Sequence, residues 1–135
     1  MRAGLTIRAA PGGGFRLNAL MWFGLAGGPL AWTAQQIVGW GLSEAHCAAG
    51  GVRWGIPARA WEIAATAAAF GVCVAAATAA VSVFLATRND EPDADPPLGR
   101  LHMIATASLA VEAVFLCMIL LTGISAGVLM GCRQS

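Results

Sequence analysis

Three long apolar runs dominate this chain, over roughly 20–42, 58–86 and 98–130, and only short polar segments separate them. A helix needs about 20 apolar residues to cross a hydrocarbon core, and each run is that long. The second and third exceed the minimum, so they are expected to tilt or to emerge at one end. A soluble domain carries roughly a quarter charged residues. Here 11% are charged and 58% hydrophobic, with a mean hydropathy of +0.70. The expected fold is a single all-α membrane domain, a bundle of three transmembrane helices. A net charge of +1 leaves no basic footprint for nucleic acid.

The segment 43–57 joins the first two runs, and the acidic, proline-rich segment 88–97 joins the last two. Prolines there stop one helix and start the next. Arg2, Arg8, Arg16, Arg88 and Arg100 fall on one side; Arg53, Arg59 and Arg133 fall on the other. That bias places the N-terminus and the 88–97 loop in the cytoplasm, and the 43–57 loop and C-terminus in the periplasm. The implied location is a bacterial inner membrane, crossed several times. Trp22 marks one interface and Trp40, Trp54 and Trp61 the other, while Trp32 is mid-span and reads as a packing residue. The first run is too long for a signal-peptide core and is interrupted by Gln35 and Gln36, so it is expected to stay as an uncleaved helix. Leu129-Met130-Gly131-Cys132 imitates a lipoprotein box but stands at the wrong end of the chain.

Helices in lipid associate through small residues and polar contacts. Ala67, Gly71, Ala75 and Ala79 form a small-residue ladder every fourth position, extended by Ala64 and Ala68. Gly123, Gly127 and Gly131 repeat that spacing in the third run, and Gly24, Gly28, Ala31, Gln35 and Gly39 share one face of the first. Glu112 lies near the centre of the third run, where a carboxylate costs roughly 2.5–3.5 kcal/mol on insertion scales. It is expected to face inward, protonated or paired, on a stripe with Ala105, Ser108, Ile119 and Gly123. Gln35 or Gln36 lies near its depth, so an amide–carboxyl hydrogen bond is expected. Glu62, beside Trp61 and Arg59, reads as a solvated or ion-paired interfacial residue.

Cys73 and Cys117 are mid-span and are expected to stay reduced. Cys47 and Cys132 follow the first and third helices on the same oxidising face, which reads as a disulfide. A rival use gathers Glu44, His46, Cys47, Met130 and Cys132 around Cu(I), without any supporting ligand-spacing motif. His46 and His102 lie on opposite faces and do not suit one haem. No nucleotide-binding, hydrolase or zinc-protease motif is present, and no cofactor is expected.

Gly27-Gly-Pro-Leu-Ala-Trp32, with Gln35, Gln36 and Cys47 beyond it, is similar to part of a known group, as is the third helix from Gly99-Arg100 to Gly131-Cys132. Together they resemble small bacterial membrane proteins encoded beside haem–copper cytochrome c oxidase subunits. A Pro often precedes the last cysteine in that group, where this chain has Gly131. The resemblance implies an association with a larger integral membrane complex, without an established catalytic role. The expected function is a non-catalytic accessory subunit or assembly factor of a respiratory terminal oxidase. Two alternatives stay open: a small oligomeric transporter coupled through Glu112, and a copper-handling or thiol-redox protein using Cys47 and Cys132.

Overall fold

The structure, a computed structural model, describes residues 13–47, 55, 57–88 and 96–128. These form three helices: α1 (Gly13–Cys47), α2 (Ala58–Thr87) and α3 (Pro96–Val128). The boundaries of α2 and α3 follow the apolar runs closely. α1 begins earlier than its run, extending back through Arg16 to Gly13. Pro57 starts α2, and its carbonyl accepts from the N–H groups of Ala60 and Trp61.

Two stretches, Ala58–Thr87 and Arg100–Val128, are long and apolar enough to cross a membrane. α1 departs from the expectation of three equivalent spans. Its 35 residues reach about 52 Å at 1.5 Å per residue, so length is not what it lacks. Glycines, Pro29, Gln35 and Gln36 dilute its apolarity. It gives up oily surface for close-packing and polar positions.

Each helix packs against both others. Buried positions recur at steps of three, four or seven residues: Met21, Gly24, Gly28, Ala31 and Gln35 on α1; Ala69, Cys73, Ala76, Ala80, Val83 and Thr87 on α2; Ala105, Ser108, Glu112 and Ile119 on α3. A mean spacing of 3.5 keeps a seam turned toward its partners along the helix. The seams carry few bulky side chains, so the backbones come close. A Cβ added to Gly24 would meet Ala80 backbone and side-chain atoms at 3.1–3.2 Å, and one added to Gly27 would fall 2.5 Å from the Ala76 Cβ.

The expected ladder on α2 does not form the interface. Ala64, Ala67, Ala68, Gly71 and Ala75 are exposed, and only Ala79 is buried; the seam runs instead through Ala69, Cys73 and Ala76. α2 carries alanine on almost every face, so spacing alone does not choose between them. On α3, Gly123 abuts the Thr66 side chain, whereas Gly127 has nothing close to it. Gly131 lies outside the described residues.

Candidate functional site

Glu112 is the polar centre of the bundle, 1% exposed and enclosed by all three helices. Its Oε1 accepts from the Gly28 backbone N–H at 2.9 Å. The Cys73 thiol donates to Oε2 at 3.1 Å and lies 3.6 Å from the Glu112 carbonyl oxygen. One carboxyl group therefore ties α3 to α1 and to α2 at the same depth. A Cβ at position 28 would fall on the carboxyl group itself, so glycine lets the carboxyl approach the backbone without being displaced. Pro29 follows inside the helix and has no N–H for the Leu25 carbonyl.

This differs in its partners from the expected amide–carboxyl bond. Gln35 and Gln36 occupy a separate polar layer. Gln35 Nε2 donates to Thr66 Oγ1 at 3.0 Å and to the Ile119 carbonyl at 3.4 Å. Gln36 Nε2 donates to Thr122 Oγ1 at 3.2 Å. Gln35, Thr66 and Ile119 each stand seven residues from Gly28, Cys73 and Glu112 respectively, so the layers are about two turns, roughly 10 Å, apart. Between them lies an apolar band in which Trp32 and Phe115 meet edge to face, ring centres 5.8 Å apart, against Ala31, Ala69 and Ile119. Ser108 is buried on the Glu112 face, but its hydroxyl donates to the Ile104 carbonyl of its own helix at 2.8 Å.

Sequence reasoning missed Gly28 and Cys73 as the partners of Glu112. Cys73 was expected to behave as a small apolar residue; the available signal was its position at the depth of Glu112. A backbone donor leaves no side-chain signature.

At the far end of the bundle, the His102 ring stacks on Phe84 with centres 4.8 Å apart, and its Nδ1 is hydrogen-bonded to Thr87 Oγ1 at 3.1 Å. This contact holds the start of α3 to the end of α2. At the opposite end, Glu44 and His46 are exposed and Cys47 is half-buried. Met130 and Cys132 lie outside the described residues, so the copper set and the Cys47–Cys132 pair fall partly outside them as well. The free thiols among the described residues are Cys73, buried, and Cys117, exposed. No group of three or more His, Cys, Asp or Glu able to hold a metal occurs among the described residues. Glu62 is half-buried and lines a cleft with Arg59.

No family model, curated protein or solved structure matches the chain.

Proposed function

We propose that this chain is a non-catalytic accessory subunit or assembly factor of a larger integral membrane complex, a respiratory terminal oxidase of a bacterial inner membrane. In this reading all three helices span the bilayer, with the N-terminus and the 88–97 loop cytoplasmic and the C-terminus periplasmic. The observation that carries it is the bare second face of α2. Ala67, Gly71 and Ala75 are exposed, and nothing lies within 4 Å of a Cβ placed on Gly71. Small side chains make poor contact with lipid but let another helix approach. The class of partner rests on the resemblance of Gly28-Pro29-Leu30-Ala31-Trp32, Cys47 and Cys132 to proteins encoded beside haem–copper oxidases.

The surroundings of Glu112 favour this reading over a transporter. Both carboxyl oxygens are engaged within the bundle, and the group does not reach a lateral face where oligomer partners would share it. A Cys47–Cys132 disulfide is part of the proposal; the packing of α1 on α3 supports it by keeping the two helices adjacent. The test is purification of the tagged protein from its native membranes in mild detergent. Haem–copper oxidase subunits in stoichiometric amount, lost on Gly71→Leu while the bundle stays folded, are expected. A homo-oligomer alone would overturn the proposal in favour of the transporter, and bound Cu(I) without oxidase subunits would favour copper handling.

A further inference from the structure

Glu112 carries the one carboxyl group among the buried polar side chains described, the others being Gln35, Thr87 and Ser108. No cation stands at its depth among the described residues. Arg16, Arg59, Arg88 and Arg100 are exposed, and each lies at least 12 residues along the chain from the nearest of Gly28, Cys73 and Glu112, about 18 Å or more by helical rise. The His102 ring, ten residues before Glu112, meets Thr87 at the far end of the bundle. Three helices enclose the carboxyl group, with Cys73 fully buried against it, so bulk water does not solvate a charge there. A carboxylate buried without a cation neutralises by taking up a proton.

The two carboxyl oxygens are not equivalent as carriers of that proton. Oε1 faces a donor that cannot be reversed: the Gly28 N–H gives it a hydrogen at 2.9 Å. Oε1 is therefore the carbonyl oxygen of the neutral acid. Oε2 faces a thiol, which both donates and accepts. Donation from the thiol to Oε2 is the arrangement of the ionised carboxylate. A proton on Oε2 reverses the contact, and Sγ accepts it across the same 3.1 Å. The thiol hydrogen then needs another acceptor, and the Glu112 backbone carbonyl oxygen lies 3.6 Å from Sγ. That oxygen has a second lone pair beyond the one its helix uses. In the neutral form every hydrogen of the cluster has an acceptor, with no atom moved.

We propose that the centre of the bundle is a binding site for one proton, carried on Glu112 Oε2 with Cys73 Sγ as its acceptor. The chain of hydrogen bonds runs from the Glu112 hydroxyl to the Cys73 thiol and on to the Glu112 carbonyl, joining α3 to α2. The Gly28 N–H fixes the other oxygen from α1. Cys73 is the positioning residue of this site: a side chain of its size that can only donate, or do neither, leaves the acid proton without an acceptor. The site is independent of the oxidase reading, because it is built from this chain's own α1, α2 and α3.

Infrared spectroscopy of the full chain in lipid nanodiscs at neutral pH reads the proton directly, because the carbonyl stretch of a neutral carboxylic acid is separate from the bands of ionised carboxylates. The unsubstituted protein is expected to show a neutral-acid band that Glu112→Gln removes. Cys73→Ala takes away the acceptor and should move that band to higher frequency. Cys73→Ser supplies a stronger acceptor and should move it lower. Loss of carboxylate bands alone on Glu112→Gln would show an ionised Glu112 and overturn the proposal. A neutral-acid band at the same frequency in the unsubstituted protein, Cys73→Ala and Cys73→Ser would overturn the role of the thiol. The absence of any neutral-acid band from the unsubstituted protein overturns the proposal even where the variants fail to fold.

Discussion

Replacing Gly28 by alanine tests the central contact of the bundle with a single methyl group. The added Cβ falls on the Glu112 carboxyl, which is buried and held from the other side by Cys73. The carboxyl must move, and its 2.9 Å bond from the Gly28 N–H is lost or stretched. An intramolecular hydrogen bond contributes roughly 0.5–1.5 kcal/mol, and forcing a methyl into a filled core costs about 1–3 kcal/mol. Alanine offsets about 1 kcal/mol of that through its better helix propensity. The expected net loss is about 0.5–3.5 kcal/mol. Gly39→Ala is the control, on the same helix with nothing within 4 Å of the added methyl; there only the propensity term remains, and stability is unchanged or slightly raised. Unfolding by titration with sodium dodecyl sulfate from mixed micelles, followed by circular dichroism, compares the two. Combining Gly28→Ala with Glu112→Ala removes the clashing group, so the double variant should lose less than the sum of the single losses. Equal stabilities for Gly28→Ala and Gly39→Ala, or strict additivity in the double variant, would refute the reasoning.

Glu112→Gln retains an acceptor for the Gly28 N–H and is expected to keep the fold, whereas Glu112→Leu strands that buried donor and should cost about 2–3 kcal/mol in the same unfolding assay. Ala76→Leu pushes against Gly27 on the seam and should lose about 1–3 kcal/mol, while Ala67→Leu on the exposed face of α2 should leave the isolated protein unchanged. A reporter fused after Ser135 is expected to be active as a periplasmic phosphatase and dark as a cytoplasmic fluorophore; the reverse would invert the proposed orientation. Alkylation of unreduced membranes is expected to modify neither Cys47 nor Cys132, and both only after reduction; free thiols at both positions would exclude the proposed bridge.

The placement of Glu112 was legible in the sequence because a carboxylate among apolar residues has one affordable direction, inward. Its stripe on α3, through Ala105, Ser108 and Ile119, followed from that carboxylate, because residues three, four and seven positions away on a helix share its face. The seam of α1 was readable through Gly24, Gly28, Ala31 and Gln35, whereas Gly39, expected on the same face, has nothing packed against it. α2 was not readable in this way. Its alanines surround the helix, and a methyl group costs nearly the same against lipid as against protein, so several registers are equivalent until neighbours select one. The close approaches at Gly24 and Gly27 made that choice, bringing Ala80 and Ala76 into the seam and turning Gly71 outward. Tertiary structure likewise decided what Glu112 touches. Side-chain chemistry suggested an amide, but Gln35 and Gln36 sit about two turns from the carboxyl layer and bond to Thr66, the Ile119 carbonyl and Thr122. The donor that meets Oε1 belongs to the backbone of Gly28, and a backbone N–H comes within reach of another helix only when the two helices pack without a side chain between them.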